Sequence, residues 1–357
     1  MQKSSIHPFS ATIMAWYAAH QRELPWRQTK DPYAIWLSGI ILQQTRVAQG
    51  LPYYERLLAA FPTVRDLAEA PEASLLRLWQ GLGYYSRARN MHFTAKMVMQ
   101  EYAGEFPKSY SELIKLKGIG EYTAAAIASF SNNEAKAVVD GNVFRLLSRY
   151  YGIEEPINST KGKKLFFELA NELIIPEQAG LYNQAVMEFG ALQCKPQNPN
   201  CANCPLMISC EAYKTNRVVK LPVKLKKLKI RERYFNYFVL SKDSSVLLRK
   251  RGPQDIWQNL YEFPLLESTK LLTPDEIVLD EGFIQLFGKQ AVFKSMHGPV
   301  KHVLTHQRLY AQFFELEINP ENINFEENWV WIDKNELENF AKPKLIFDFL
   351  VNFFKLN

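Results

Sequence analysis

The chain of 357 residues carries four cysteines, and all four fall within one short stretch. They follow the spacing Cys194-x6-Cys201-x2-Cys204-x5-Cys210. Thiols crowded in this way are typical of a metal site, because a disulfide framework would spread its cysteines along the chain. Four thiolates can hold a tetrahedral zinc ion or a [4Fe–4S] cluster. The wide loops favour the cluster, since a zinc ribbon usually draws on two closely spaced pairs, but zinc stays open on chemistry alone.

A second candidate site begins at two glycines, Gly118 and Gly120, which precede an Ala-rich run at 121–130. Glycines let a backbone approach a ligand, and a helix N-terminus offers N–H donors to an anion such as a DNA phosphate. An ordinary turn between helices would show the same pattern. Asp140 follows twenty residues after Gly120 and precedes Gly141. It is either a turn residue or a site carboxylate beside the same groove.

The elements that position these residues are predicted to be helices. Apolar residues recur at three- and four-residue spacing from Phe9 to about Tyr213, and no strand alternation of useful length interrupts them. Asp31-Pro32 is a helix-start signal. The first part of the chain is therefore predicted to be all-α.

A basic run separates this part from the next. Residues 217–233 contain eight Lys or Arg and one acid, Glu232, and Pro222 lies among them. We predict an exposed linker that runs into a first strand. Its charge is explained either by a solvated face or by contact with nucleic acid.

The apolar period then changes to two, which predicts strands at 234–240, 246–248, 303–316 and 329–332, with helical patches after Thr273 and Asn335. The second domain is therefore predicted to be α+β.

Composition narrows the class of protein. Hydrophobic residues make up 47% and charged residues 22%, as in ordinary globular proteins. The net charge of +6 is compatible with a polyanionic partner. No apolar run approaches the ~18 residues that span a bilayer. The apolar stretch Phe9–Ala19 runs into charged residues, which favours an amphipathic helix over a signal peptide, and we expect a cytoplasmic protein.

Together these features resemble the helix–hairpin–helix DNA glycosylases of the endonuclease III superfamily. Three further stretches, LPWR at 24–27, LQQTRV at 42–47 and GLGYYSR at 81–87, are similar to its adenine DNA glycosylase (MutY) family. The resemblance is close over Phe9–Cys210 and looser beyond. It implies a glycosylase domain at 1–216 with its [4Fe–4S] loop at 194–210, a basic linker at 217–232, and a MutT-like (Nudix-fold) domain at 233–357 that recognises 8-oxoguanine.

The resemblance also implies a function: hydrolysis of the N-glycosidic bond of adenine opposite 8-oxoguanine or guanine in double-stranded DNA, by a monomer that binds along the nucleoid. Cys194, Cys201, Cys204 and Cys210 become ligands of the [4Fe–4S] cluster, and Gly118 and Gly120 become phosphate-binding backbone. Trp26 and Arg27 lie in a family motif expected to contact DNA. Further positions implied to act on the duplex are Gln44, Leu82 and Tyr84, as wedges, although Leu82 taken alone fits core packing equally well.

For the chemistry, the resemblance implies that Asp140 stabilises the oxocarbenium-like sugar and that Asn142 keeps its surroundings polar and positions water. Tyr122 stands where bifunctional relatives carry a nucleophilic lysine, so no Schiff base is expected and the enzyme would be monofunctional. The second domain lacks the Nudix motif Arg-Glu-x-x-Glu-Glu, so it should read damage rather than hydrolyse pyrophosphates. Thr305 and His306 are its candidate 8-oxoguanine contacts, against the alternative of residues that merely end a strand.

One position departs from the family. Where the family reads Leu-Ser-Glu and uses that Glu to protonate adenine, this chain reads Leu37-Ser38-Gly39. Glycine inside a helix costs ~1 kcal/mol relative to alanine, so Gly39 does not stabilise the helix. Among nearby carboxylates, Glu23, Glu55 and Glu121 are not obvious substitutes. Two interpretations follow: an adenine glycosylase of impaired activity, or a non-catalytic protein that binds 8-oxoguanine·adenine mispairs.

Overall fold

The structure, a computed structural model, describes residues 6–225, 230–289, 291–319 and 323–355. Its contacts divide the chain into two compact units. The first unit comprises Met1–Ala70 and Arg89–Lys226, and the second unit comprises Pro71–Ala88 and Lys227–Asn357. The second unit therefore includes a segment that the sequence places inside the predicted helical domain.

The first unit is helical throughout its described residues, which confirms the prediction of an all-α part. Helices α1 to α12, of which α5 lies in the second unit, are α1 (Pro8–His20), α2 (Pro32–Ile41), α3 (Val47–Ala60), α4 (Val64–Glu69), α5 (Glu72–Leu78), α6 (Ser86–Glu101), α7 (Tyr110–Leu113), α8 (Glu121–Asn132), α9 (Gly141–Tyr151), α10 (Thr160–Leu173), α11 (Ala179–Leu192) and α12 (Glu211–Lys214). Short 3-10 turns lie at Pro25–Arg27, Pro176–Gln178 and Met207–Ser209. Among the described residues no helix has both the length and the apolar character needed to cross a membrane.

Local signals explain where the key helices begin. The Asp31 carboxylate accepts a hydrogen bond from the backbone N–H of Tyr33, and Pro32 occupies the first turn, as predicted. A large core then forms where α1, α9, α10 and α11 pack, around Phe9, Phe166 and Phe189. This core fixes α9, which carries Asp140 and Asn142 at its start, against α11.

The second unit is α+β, as predicted. Its strands are β1 (Arg231–Val239), β2 (Ser241–Lys242), β3 (Ser245–Lys250), β4 (Tyr261–Glu262), β5 (Leu265–Ser268), β6 (Val292–Val303), β7 (Gln307–Glu317) and β8 (Trp329–Asp333). Its remaining helices are α13 (Pro274–Ile277), α14 (Glu281–Phe287) and α15 (Lys344–Phe354). The first sheet has the order β5-β1-β7-β6, with β1 and β7 parallel, and the second pairs β2, β4 and β8 with β3.

Aromatic stacking holds this unit together. Tyr237 stacks on Phe313 with ring centroids 5.2 Å apart, and Phe313 stacks on Phe349 of α15 at 3.8 Å. On the opposite face, Phe238 packs against Phe283 and Phe287 of α14. The β-sheet is therefore covered by a helix on each face.

The predicted linker at 217–232 is only partly a linker. The carbonyl of Leu221 accepts a hydrogen bond from Arg149 Nε at 3.0 Å, and that of Val223 accepts one from the Ile157 N–H at 3.1 Å. β1 already begins at Arg231, and residues 226–229 of the predicted linker lie outside the described residues. Arg233, at the end of the basic run, is buried, because Asp255 and Glu267 bind both sides of its guanidinium. A solvated face therefore does not describe this arginine.

Candidate DNA glycosylase site

The two glycines of the predicted hairpin lie in an exposed turn between α7 and α8. Gly118 has φ +77, and a β-carbon there would lie 3.0 Å from Asn90 Cβ, so the turn needs glycine at this point. Gly120 caps α8, and a β-carbon on it would meet nothing within 4 Å. The first N–H groups of α8 therefore face open space, where an anion could approach them.

Asp140 begins α9 as its N-cap. Its Oδ1 accepts hydrogen bonds from the backbone N–H groups of Asn142 and Val143, both at 2.8 Å, and its Oδ2 accepts one from Asn142 Nδ2 at 2.7 Å. Burial raises the pKa of Asp140, while the bonds from Val143 and Asn142 lower it in part. The carboxylate is thus held in one orientation by donors that favour its charge, in surroundings that water reaches poorly.

Tyr122 lies in the first turn of α8, within electrostatic reach of Asp140. Burial raises the pKa of its phenol, and the negative charge of Asp140 raises it further. The hydroxyl therefore stays protonated at neutral pH. The structure brings together two of the sequence-predicted catalytic positions, Tyr122 and Asp140, although eighteen residues separate them in the chain.

Gly39 lies on α2, which packs against α8. A β-carbon built on it would lie 3.9 Å from Thr123 Cγ2, with no other atom from beyond its immediate chain surroundings within 4 Å. On the next turn, Gln43 Nε2 donates to Thr123 Oγ1 at 3.5 Å. Gly39 therefore faces Thr123 in the N-terminal turn of α8, and a β-carbon at this position meets only an ordinary van der Waals contact.

The three carboxylates considered as substitutes do not take this place. Glu23 and Glu55 have exposed side chains, and Glu121 is exposed at the first position of α8. None of them is as enclosed as Asp140, which is half-buried.

Arg27 and Trp26, predicted to contact DNA, are held within the first unit. Arg27 Nη2 lies 2.8 Å from Glu188 Oε2, and Arg22 Nη2 lies 2.6 Å from the same oxygen. Trp26 makes an edge contact with Tyr54. Burial raises the pKa of Glu188, but the hydrogen bonds from Arg22 and Arg27 outweigh it and lower the pKa to about 2.

Sequence reasoning missed Glu188. Glu188 is the only charged residue in α11 (Ala179–Leu192), whose other residues are apolar or uncharged polar. Its side chain is buried, with 1% of the residue exposed. A single acid in such a helix signals a paired buried charge. The sequence could have suggested its importance, but not its partners, which lie more than 160 residues away.

The predicted wedge residues differ in exposure. Gln44 (φ 56) and Tyr84 (φ 49) have left-handed backbones and exposed side chains. Leu82 is 6% exposed, which favours the core-packing interpretation of this residue. Gln44 belongs to the first unit, whereas Leu82 and Tyr84 belong to the second.

The candidate lesion-reading residues Thr305 and His306 lie in the exposed turn between β6 and β7. The hydroxyl of Thr305 makes a hydrogen bond with the hydroxyl of Tyr84. Two sequence-predicted DNA contacts, 221 residues apart in the chain, are thus neighbours within the second unit.

The four cysteines line one cavity of about 30 Å³, together with Arg149 and apolar side chains such as Leu206. Arg149 Nη1 lies 3.5 Å from Cys194 Sγ. Burial raises the pKa of Cys204 to about 11. Across the described residues, no group of three or more His, Cys, Asp or Glu side chains is arranged to hold a metal ion. Four thiols that line one cavity supply the donor set that a [4Fe–4S] cluster takes.

Arg145 joins the cysteine loop to Asn142. Its Nη2 donates to Asn142 Oδ1 at 2.8 Å and to the carbonyl of Gly190 at 2.7 Å, and its Nε donates to the carbonyl of Cys194 at 2.8 Å. Asn142 in turn donates to Asp140. A continuous set of hydrogen bonds therefore links the backbone of the first cysteine to the Asp140 carboxylate.

Comparison with known proteins agrees with this arrangement. The profile of the HhH-GPD superfamily of base excision DNA repair proteins matches residues 37–173, and that of the Nudix domain matches residues 236–351. The adenine DNA glycosylase of Buchnera aphidicola (subsp. Schizaphis graminum) is 35% identical over 342 residues, which cover 95% of this chain and 97% of that protein. The chain belongs to the adenine DNA glycosylase family.

Other adenine DNA glycosylases match over the helical part. The human protein is 39% identical over 218 residues, covering 58% of this chain and 40% of its own length. Among solved structures, a thermostable thymine-DNA glycosylase is 28% identical with a TM-score of 0.55, covering 58% of this chain and 95% of its own. A non-covalent endonuclease III–DNA complex, at 24% identity and a TM-score of 0.52, shows the shared fold over 60% of this chain and 98% of its own.

Membership of the adenine DNA glycosylase family confirms the predicted architecture: a helix–hairpin–helix domain that binds DNA, followed by a Nudix-like domain. It also places the chain in a family of hydrolytic glycosylases that act in base excision repair.

Proposed function

We propose that this protein binds duplex DNA with adenine opposite 8-oxoguanine or guanine and hydrolyses the N-glycosidic bond of that adenine, slowly, because no acid stands at position 39. The observation that carries the proposal is the half-buried Asp140, whose negative charge acts on Tyr122 and whose carboxylate is oriented by the backbone N–H groups of Asn142 and Val143. No lysine stands at position 122, so the reaction ends at an abasic site without strand cleavage.

The hairpin and the carboxylate would act in sequence. The N–H groups of Gly118 and Gly120 bind a backbone phosphate, which positions the duplex. Adenine must leave the stack before its glycosidic bond can be reached. As the bond breaks, positive charge develops on the sugar, and the Asp140 carboxylate stabilises it strongly because the site is poorly solvated. Asn142 keeps that carboxylate oriented and offers a polar position for the attacking water.

The departure of adenine is the step that we expect to be slow. Adenine departs most easily as a neutral base, which requires a proton donor near its ring. Gly39 has no side chain to supply one, and Glu23, Glu55 and Glu121 are exposed on other segments. The base must then leave closer to its anion, so the expected excision is slow.

Cys194, Cys201, Cys204 and Cys210 would hold a [4Fe–4S] cluster, for which the shared cavity and the four thiol donors are suitable. When bound, such a cluster cross-links the loop through iron–thiolate bonds. This would hold in place the carbonyls of residues 194–196, to which Arg145 and Arg149 donate hydrogen bonds.

The Nudix-like domain would supply lesion specificity. Thr305 and His306 are exposed at the β6–β7 turn, where a hydroxyl and an imidazole can hydrogen-bond to the oxidised base edge. The chain lacks the Nudix hydrolase motif, which supports recognition rather than pyrophosphate hydrolysis.

A second function is favoured by Gly39 itself. Without the acid, the protein could act as a non-catalytic binder of 8-oxoguanine·adenine pairs. Single-turnover assays with an 8-oxoguanine·adenine duplex, followed by alkaline cleavage at abasic sites, separate the two. Slow release of adenine that Asp140→Asn abolishes supports the glycosylase. Tight binding with no release, equal to that of Asp140→Asn, supports the binder, and equal affinity for mispaired and matched duplexes contradicts both.

A further inference from the structure

The segment Glu72–Tyr85 is tied to the rest of the second unit by polar contacts along its whole length. Glu72 Oε1 accepts from Asn259 Nδ2 at 2.6 Å, near its start. Near its end, Gln80 Oε1 accepts from the backbone N–H of Lys342 at 3.1 Å, and the Tyr85 hydroxyl donates to the carbonyl of Lys342 at 3.2 Å. This segment therefore hydrogen-bonds both backbone polar groups of Lys342, its N–H and its C=O.

Lys342 is itself unusual. The residue is 2% exposed, and its ammonium group donates to the carbonyls of Leu337 and Phe340, the latter at 2.5 Å. No carboxylate among the described residues lies within ion-pair distance of it. The negative charge of Glu338 acts on this ammonium group from beyond ion-pair distance, and its hydrogen bonds go to backbone carbonyls alone, so its burial is costly. Those bonds fold residues 337–342 into a fixed turn, which aims the Lys342 N–H and C=O at Gln80 and Tyr85.

The turn between Gln80 and Tyr85 needs such support. Gly81 (φ 94), Gly83 (φ 77) and Tyr84 (φ 49) all have left-handed backbones. A non-glycine residue in this region is strained and persists only where its surroundings hold it. Trp79 Nε1 donates to the Gly83 carbonyl at 3.0 Å, which fixes one side of the turn. At its tip, Tyr84 is 43% exposed and its hydroxyl meets Thr305.

We propose that Lys342 is a positioning residue for lesion recognition: by fixing Gln80 and Tyr85 it holds Tyr84 against Thr305, so that these two side chains form one DNA-reading element. The inference rests on the proposed function, because the lesion read by this element is the one proposed above. Lys342 touches no DNA in this scheme and acts only through Tyr84.

The first test measures positioning without DNA. Amide hydrogen exchange of residues 80–85 is compared in the parent protein, Lys342→Met and Tyr85→Phe, with Lys344→Met as the matched control. Lys344 is an exposed lysine, two residues along the chain, that pairs with Asp348. Exchange at 80–85 should rise roughly 10-fold in both variants and stay unchanged in Lys344→Met, because Tyr85→Phe loses its bond to the Lys342 carbonyl and Lys342→Met loosens the turn at 337–342 that presents this carbonyl. Unchanged exchange in Tyr85→Phe, the milder variant, overturns the proposal.

The second test measures recognition. Dissociation constants for 8-oxoguanine·adenine and guanine·adenine duplexes are determined for the same variants and for each of them combined with Tyr84→Ala. Lys342→Met should reduce the preference for 8-oxoguanine roughly 10-fold. In the Tyr84→Ala background, Lys342→Met should not reduce this preference further, because the effects of two residues that act through one another are not additive. Lys342 would serve stability alone if Lys342→Met weakened the binding of both duplexes equally and if this loss of affinity added to that of Tyr84→Ala.

The two tests separate the proposal from the function on which it rests. If the parent protein shows no preference for 8-oxoguanine while exchange at 80–85 responds as expected, the proposed lesion specificity fails and the positioning by Lys342 stands. If the parent shows the preference and Lys342→Met keeps it in full, the positioning role fails and the proposed function stands.

Discussion

Gly39 on α2 faces Thr123 on α8, and a β-carbon at position 39 would stand 3.9 Å from Thr123 Cγ2 in ordinary van der Waals contact. Close packing at the α-carbon therefore does not require the glycine, since a β-carbon fits without displacing a neighbour. Position 39 thus faces the first turn of α8, the helix turn that also carries Tyr122.

The first prediction follows from this space. Gly39→Glu should fold at least as stably as the parent, because Glu favours a helix over Gly by roughly 0.5–1 kcal/mol. It should raise single-turnover adenine release by about 10²- to 10⁴-fold, the usual contribution of a positioned acid. Addition of Asp140→Asn should remove that gain, whereas Gly39→Gln, which fits the same space without an acidic proton, should not show it. A parent rate that Gly39→Glu fails to raise would mean that the acid lies elsewhere.

The second prediction concerns the cysteine cavity. The purified protein should show the broad visible absorbance of an iron–sulfur cluster and contain iron rather than zinc. Cys204→Ser should lose that absorbance, because one of the four ligands is gone. Visible absorbance and metal content are measured for the parent protein and for both variants. Ser209→Ala, in the same loop, is the control that should keep the cluster. One zinc per chain with no iron would contradict the cluster.

The third prediction concerns salt. If the hairpin binds phosphates, affinity for duplex DNA should fall steeply between 50 and 200 mM salt, by roughly 10-fold or more, as counterions are released. Lys117 lies in the hairpin with its ammonium 4.0 Å from the centre of the Phe93 ring. Lys117→Met should reduce the slope of log affinity against log salt by about one. Fluorescence anisotropy titrations measure both effects, and an affinity independent of salt would exclude a groove that contacts the backbone.

The fourth prediction concerns pH and the buried acid Glu188. Its pKa falls from 4.5 to about 2 on folding, so its ionised form adds stability above pH 4.5 that is lost as the pH falls towards 2. The shift corresponds to about 3 kcal/mol of unfolding free energy at neutral pH. Glu188→Gln should therefore lower the unfolding temperature at pH 7, and the difference from the parent should shrink between pH 4.5 and pH 3. The exposed Glu177 offers a control, Glu177→Gln, that should leave the unfolding temperature unchanged at both ends of this range. A difference for Glu188→Gln that stays constant with pH would assign its effect to packing instead.

Much of the architecture follows from local patterns. The change of apolar period after residue 233 predicts the change from helices to strands, because side-chain periodicity is a property of the local backbone. The start of α2 at Asp31-Pro32 follows from capping chemistry in the same way. The spacing of the four cysteines predicts a shared site, and the structure places all four around one cavity.

Contacts distant in sequence were decided only by the tertiary structure. No local pattern shows that 71–88 belongs with the second unit, that Tyr84 meets Thr305, or that Leu82 is buried. Nor does the sequence pair Glu188 with Arg22 and Arg27. Residue types set which contacts are favourable, whereas which partners meet depends on how the helices and strands pack, and that is a property of the whole chain. Sequence alone thus determined the chemistry available to this protein, and the packed fold determined which groups share a site.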